Sequence, residues 1–307
     1  MRILVTGGAG FVGTNLIKRL LKEKHDVISV DNYSTGKKEN EQNGCLYIDR
    51  DLSKNKWWNL SDICECEVSC DCQVEPVDLI FNIAALARIQ PSLKNPTKAI
   101  SNNFNSALNV LEWARKNNTP VVFSGSSTFH KGLWSSPYAW SKHSGEQLCK
   151  LYDKVYDLPT AICRFYNVYG EHQLEEGDYS TVIGIFEKQY REGKPLTITG
   201  DGEQRRDFTH IEDIVDGLVR CGDALYNDVL MGDVSGQTFE LGRGKNYSIN
   251  EIADAFGKNY PKKYITKRPA EQKETLNLDD KAKRFLGWDA KIDIIKYINK
   301  KYSLKNE

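Results

Sequence analysis

The chain has 307 residues, 40% of them hydrophobic and 27% charged, and its 42 Lys plus Arg are balanced by 42 Asp plus Glu. That length can bury a sizeable core in two domains, or in one large domain with a cap, while zero net charge gives no global electrostatic case for nucleic acid or an anionic membrane and leaves only local basic pockets for small anions. There is no run of about 18 apolar residues to cross a membrane, residues 1–13 lack the layout of a signal peptide, and eight cysteines are too few for a disulfide scaffold, so the expected location is cytoplasmic.

The first half alternates strand and helix signals. Residues 2–6 (RILVT) form a short apolar run, after which Phe11, Leu16, Ile17 and Leu20 recur at helical spacing. Residues 27–31, 77–83 and 119–124 repeat the strand pattern, and a long helix is expected near 97–117 between the last two. Such alternation predicts an α/β fold of the Rossmann type, a doubly wound parallel sheet covered on both faces. The second half is less regular, with turn clusters at 200–202 and 242–244 and a Lys-rich C-terminal stretch that reads as the solvated face of small helices. We expect a dinucleotide-binding domain over 1–170, to which part of 207–240 returns, and a smaller mixed α/β substrate lobe over 171–307.

Between the first strand and helix stands Thr6-Gly7-Gly8-Ala9-Gly10-Phe11-Val12-Gly13. Glycines permit the tight turn, let a pyrophosphate approach the backbone and allow close helix–strand packing. The helix start then offers free N–H groups to the phosphates. Asp31 ends the second strand, 18 residues after Gly13. A carboxylate there accepts from ribose hydroxyls and repels a 2′-phosphate, which favours NAD over NADP.

Farther on, Ser136 is a good N-cap and Pro137 suits the first helical position. Tyr138 and Lys142 are then i and i+4 on one helix face. Free tyrosine, with a pKa of about 10, is a poor base at neutral pH. A nearby ammonium and a cationic nicotinamide ring would stabilise its phenolate and make Tyr138 a general base towards a sugar hydroxyl. Ser124, Ser126 and Thr128 cluster at the carboxyl end of a parallel strand, where open α/β sheets bind ligands.

These motifs occur in the order found in the extended short-chain dehydrogenase/reductase family, and the chain resembles its nucleotide-sugar epimerases of the UDP-galactose or UDP-N-acetylglucosamine 4-epimerase type. The resemblance covers nearly the whole chain. Besides TGGAGFVG at 6–13 and SPYAWSK at 136–142 it includes Asn82-Ile83-Ala84-Ala85, Arg164-Phe165-Tyr166-Asn167, GDGEQRRDF at 200–208, Arg268-Pro269-Ala270-Glu271 and Leu286-Gly287-Trp288. It implies a catalytic set of Tyr138, Lys142, Ser126 and Asn103. It also implies an NAD site formed by Gly7, Gly10, Phe11, Val12, Gly13, Asp31, Asn32, Thr35, Gly36, Asp51, Leu52, Ala84, Ala85, Ser124 and Tyr166 together with Tyr138 and Lys142. By the same resemblance Arg206 and Arg268 clamp the diphosphate of a UDP-sugar, Glu271 accepts from the nucleotide ribose, and Asn167, Val182 and Thr197 help seat the nucleotide. No metal is implied, and a homodimer through helices 97–117 and 137–156 is expected.

The implied reaction is epimerisation at carbon 4 through a 4-keto sugar. Related dehydratases carry an Asp-Glu pair where this chain has Ser127 and Thr128, and related decarboxylases carry Glu at the Thr128 position. Those outcomes are therefore disfavoured, and the alternative is another nucleotide-sugar enzyme of the family, such as a reductase, a dehydratase or an epimerase at another carbon. Thr275 occupies a position that resembles a bulky pocket-closing Tyr of hexose-restricted epimerases, so a roomier pocket and UDP-N-acetylglucosamine/UDP-N-acetylgalactosamine are expected, with UDP-glucose/UDP-galactose as further substrates.

Two features depart from the family. His130-Lys131 replaces the usual Tyr-Gly, and Tyr138 follows only seven positions after Lys131, a short loop that bears on sugar specificity. His130 is read as a loop residue, with a second acid/base the alternative. Cys64, Cys66, Cys70 and Cys72 form CxCx₃CxC, which is not a standard zinc spacing and is read as incidental thiols. Cys149, Cys163 and Cys221 read as small core residues.

Overall fold

The computed structural model describes residues 1–54, 76–228 and 233–302. Strands β1 (Arg2–Thr6), β2 (Asp26–Asp31), β3 (Cys45–Asp49), β4 (Leu79–Asn82), β5 (Val121–Ser126), β6 (Thr160–Phe165) and β9 (Thr238–Leu241) form a sheet in the order β3-β2-β1-β4-β5-β6-β9. Every pairing in it is parallel, and β1, β4, β5 and β6 are buried almost throughout. These runs are β-branched and apolar without alternation, as a sheet covered on both faces requires. One face packs under α1 (Phe11–Lys22) and α6 (Ile211–Asp228), the other under α3 (Pro96–Asn117) and α4 (Pro137–Tyr156).

The sequence changes direction between β1 and β4, so strand ends fan apart above the glycine turn and leave a crevice at the carboxyl edge. The second lobe is built from α5 (Val182–Arg191), β7 (Leu196–Thr199), β8 (Arg205–Asp207), β10 (Asn246–Ser248), α7 (Ile249–Ala255), β11 (Lys262–Ile265) and α9 (Ile294–Tyr302). Its two sheets have only two strands each, β10–β8 antiparallel and β11–β7 parallel. A separate core of Tyr169, Phe186, Ile198, Phe208, Ile252 and Ile298 holds them together. The helix α8 (Lys281–Leu286) ends at Gly287 in the left-handed conformation, and the following Trp288 donates its indole N–H to the Asp213 carbonyl on α6 (2.8 Å). That contact fastens the C-terminal segment to the main sheet.

Cys149, Cys163 and Cys221 are buried, whereas Cys64, Cys66, Cys70 and Cys72 lie outside the described residues. Among the described residues no helix is long and apolar enough to cross a membrane, and no group of three or more His, Cys, Asp or Glu side chains is arranged to hold a metal ion.

Candidate active site

A cavity of about 760 Å³ runs along the carboxyl edge of the sheet and continues between the two lobes. At one end is the glycine turn. Gly7 is left-handed (φ +73°), and a Cβ on Gly13 would stand 2.1 Å from the Gly7 carbonyl oxygen, so helix α1 can approach β1 only with glycine there. Gly10 is the N-cap of α1 and supplies no side-chain cap, which leaves the first N–H groups for a ligand. Phe11 and Val12 line this end together with Asn32, Thr35, Asp51, Leu52, Ala84 and Ala85. Asp31 also lines it, held by N–H groups of Ala9 (2.9 Å) and Tyr33 (2.8 Å) on its two carboxylate oxygens. Burial raises the pKa of Asp31 against those hydrogen bonds. A glycine cradle, an uncapped helix start and a positioned carboxylate at the second strand end fit the pyrophosphate and ribose of a dinucleotide. Gly36 supports this end from behind: a Cβ there would meet the Ala9 backbone at 2.9 Å.

The reaction wall is assembled from β5 and α4. Ser136 caps α4 by accepting from Ala139 N–H (3.1 Å), and Pro137 takes the first turn, which fixes Tyr138 at the helix start facing the cavity. The Thr128 hydroxyl donates to Ser126 Oγ (3.0 Å), and Ser126 in turn hydrogen-bonds Tyr138. With Ser126 already accepting from Thr128, its own proton is free to be donated to the Tyr138 oxygen, which stabilises the phenolate, the form able to take a proton. Burial raises the Tyr138 pKa, while the Ser126 hydrogen bond and the positive charge of Arg88 pull it down.

Lys142 points to the strand end. One turn beyond Tyr138, it donates to Ser124 Oγ (3.1 Å) and lies 4.5 Å from the centroid of the Phe123 ring. Burial lowers its pKa to about 8. Its ammonium is directed at the strand end beneath the cavity, and the cation that acts on Tyr138 here is Arg88. Asn103 likewise touches no reacting group. Its side chain accepts from Leu86 N–H (2.7 Å) and donates to Ser141 Oγ (3.0 Å), tying the Ala84–Leu86 loop to α4. It is a positioning residue.

Beneath Ser126 sits a buried ion cluster. Arg164 pairs with Glu146 (2.7 Å) and Glu240 (2.8 Å), and Glu146 accepts from Ser126 N–H (3.4 Å). Phe129 covers the Arg164 guanidinium at 3.4 Å. His130 reaches the same Glu240 at 3.0 Å, and that hydrogen bond raises the histidine pKa. His130 is thus part of the ion cluster below the reaction wall and is absent from the cavity lining, which answers the acid/base alternative.

The opposite wall carries Asn167, Val182, Thr197, Arg206, Arg268 and Glu271. Arg206 is fixed by the Arg205 carbonyl (2.8 Å) and by Glu271 (3.8 Å). Asn167 donates its amide to the Asp207 carbonyl (2.8 Å) and to Thr275 Oγ1 (3.0 Å), leaving its own oxygen to accept. Thr275 is buried, and its Oγ1 accepts from Asn167, so it meets the cavity through the Asn167 side chain. Tyr166 lies off the cavity lining. Side chains alternate at the end of β6, and Phe165 lines the cavity while Tyr166 turns away to Glu240. The structure also brings in residues that no motif marked, including Arg88, Gln90 and Lys94 before and along α2 (Ile89–Lys94), and Gln204. Lys131, noted only as a departure, donates to the Ala270 carbonyl beside the Arg206–Glu271 pair.

Glycine cradle, tyrosine and clamp together define a dinucleotide-dependent enzyme acting on a diphosphate-bearing substrate. Residues 3–232 match the model of the NAD dependent epimerase/dehydratase family, and the chain belongs to that family; its cofactor is NAD. It is 29% identical to a putative UDP-glucose 4-epimerase of Methanocaldococcus jannaschii over 95% of this chain and 94% of that one. A UDP-glucuronate 4-epimerase of Thermodesulfobacterium geofontis is 30% identical over 95% and 92%. The solved UDP-N-acetylglucosamine 4-epimerase of Methanobrevibacter ruminantium superposes with a TM-score of 0.83 at 26% identity, over 100% of this chain and 99% of that one.

Proposed function

We propose that the protein interconverts a UDP-linked hexose and its carbon-4 epimer through a transient 4-keto sugar. The observation that carries this reading is the hydroxyl chain from Thr128 through Ser126 to Tyr138, which ends on a cavity that also contains the dinucleotide cradle. NAD supplies the acceptor for the carbon-4 hydride and the source from which it returns. Tyr138, starting as the phenolate that the Ser126 hydrogen bond and the Arg88 charge stabilise, takes the proton of the carbon-4 hydroxyl and, as the phenol, gives it back after the keto sugar has turned. Arg206 and Arg268 would hold the diphosphate while the sugar turns, since guanidinium groups donate in a fixed fork and keep their charge. Ser127 and Thr128 put hydroxyls where elimination would need a carboxylate acid and base, which favours epimerisation over dehydration.

Names of relatives span UDP-glucose, UDP-glucuronate and UDP-N-acetylglucosamine. The expected preference for N-acetylhexosamines rests on Thr275, which meets the cavity through Asn167. A homodimer through α3 and α4 belongs to the same reading: Leu151 and Val155 stand exposed one turn apart on α4, and light scattering coupled to size exclusion would show two chains per particle.

The test is an NMR assay of the anomeric proton with each of these three nucleotide sugars and no added cofactor. Appearance of a galacto epimer from a gluco substrate supports the reading. Steady consumption of added NADH points instead to a reductase, and no conversion of any sugar even with NAD present overturns it.

A further inference from the structure

Arg88 is a cation in the cavity wall that acts on Tyr138 through its charge alone, and its N–H groups are used neither by the catalytic set nor by the diphosphate clamp. It precedes α2, whose Ser92 hydroxyl accepts from Tyr138 N–H (3.2 Å), so it stands on the shoulder of the reacting tyrosine and its charge acts on that phenol. Its Nε donates to the Ser180 carbonyl (3.3 Å) and its Nη1 to the Ala87 carbonyl (3.0 Å). Three of its five N–H groups remain. Among the described residues no carboxylate pairs with it: Asp178 pairs with Lys94 (3.2 Å) and Glu271 with Arg206 (3.8 Å). A guanidinium in a desolvated wall keeps its charge and favours an anionic partner with a planar pair of oxygens.

In a pyranose, carbon 5 adjoins the reacting carbon 4 and carries carbon 6, whereas the carbon-2 substituent lies across the ring. Carbon 3 adjoins carbon 4 too but bears a hydroxyl directly on the ring, so of the two neighbours only carbon 5 carries a further carbon that can be a carboxylate, and a cation beside Tyr138 selects for that group. The diphosphate has its own cations in Arg206 and Arg268. Resting on the epimerase reading above, we infer that Arg88 recognises a carboxylate at carbon 6, so that the sugar of the substrate is a hexuronate linked to UDP. Arg88 is then the specificity-determining residue of the reaction wall.

The experiment reads binding without turnover. NAD-loaded Tyr138→Phe protein is titrated by calorimetry with UDP-glucuronate, UDP-glucose and UDP-N-acetylglucosamine, and the titrations are repeated with Arg88→Gln and Arg88→Lys added. UDP-glucuronate should bind at least about tenfold tighter than UDP-glucose. Arg88→Gln should erase that preference while leaving UDP-glucose within about threefold, and Arg88→Lys should restore part of it. Retained NAD in each variant reports an intact fold. No preference for the acid in the parent, or equal weakening of all three sugars by Arg88→Gln, overturns the inference. Failure of the intact enzyme to epimerise any sugar would instead sink the epimerase reading and leave the binding preference standing.

Discussion

The wall that presents Tyr138 and the wall that presents Arg206 face each other across one cavity, yet they are made of different material. The first hangs from strand ends and a helix start whose groups are nearly all buried and hydrogen-bonded, from Thr128 and Ser126 down to the Glu146–Arg164–Glu240 cluster. The second is made of connecting segments and three-residue strands, and Arg268 stands exposed on it. Proton transfer needs donors and acceptors held to within fractions of an ångström, which rigid elements provide. Holding a flexible diphosphate needs charge within reach, which loops provide well enough. Substitutions on the two walls should therefore fail in different kinetic terms.

The largest effect is expected from Tyr138→Phe. It removes the only titrating group of the reacting hydroxyl chain and should cut kcat about 100- to 10,000-fold with bound NAD retained, as measured by NMR turnover and the cofactor absorbance. Next comes Arg164→Met, which takes the guanidinium from two buried carboxylates and leaves Glu240 only His130. It should cost about 3–5 kcal/mol in urea unfolding. Arg206→Ala, on the looser wall, should raise KM on the order of 30-fold while kcat stays within a few-fold. If Arg206→Ala lowers kcat and leaves KM alone, the division of labour between the walls is wrong.

The smallest effect belongs to His130→Gln. Because Glu240 raises the histidine pKa on folding, the pair contributes fully below the unfolded value of about 6.5 and is lost as pH rises through the folded value. Half of the His130 side chain is exposed, so screening holds the contribution under about 1 kcal/mol. Urea midpoints measured from pH 5.5 upward should fall for the native chain and change less for His130→Gln.

The first wall was also the more legible in sequence. Its glycine turn, strand ends and the Tyr138–Lys142 pair follow from fixed periods of helix and strand, and the caps at Ser136 and Pro137 mark where α4 begins. Legibility stopped where phase or reach mattered. The motif Arg164-Phe165-Tyr166-Asn167 does not say which of two adjacent aromatics faces the ligand, because one step along a strand flips the side. Lys142 shares a helix face with Tyr138 but has a long stem, and the Ser124 hydroxyl lies within its reach. Thr275 follows a segment with no period at all, and only its pairing with Arg205 backbone shows that it turns inward. Arg88 had no motif; the one available signal was its place three residues after Ala85, just beyond a strand end that binds ligands.

Across the mouth of the cavity, Arg88, Gln90 and Lys131 of the first lobe reach the second lobe at Ser180, Pro269 and Ala270. All three contacts end on main-chain carbonyls. A grip on backbone is indifferent to the side chains of the segments it holds. The residues of 177–181 and 268–271 can thus change with the molecule to be handled while the two halves stay fastened, so the same closure can serve a succession of different sugars.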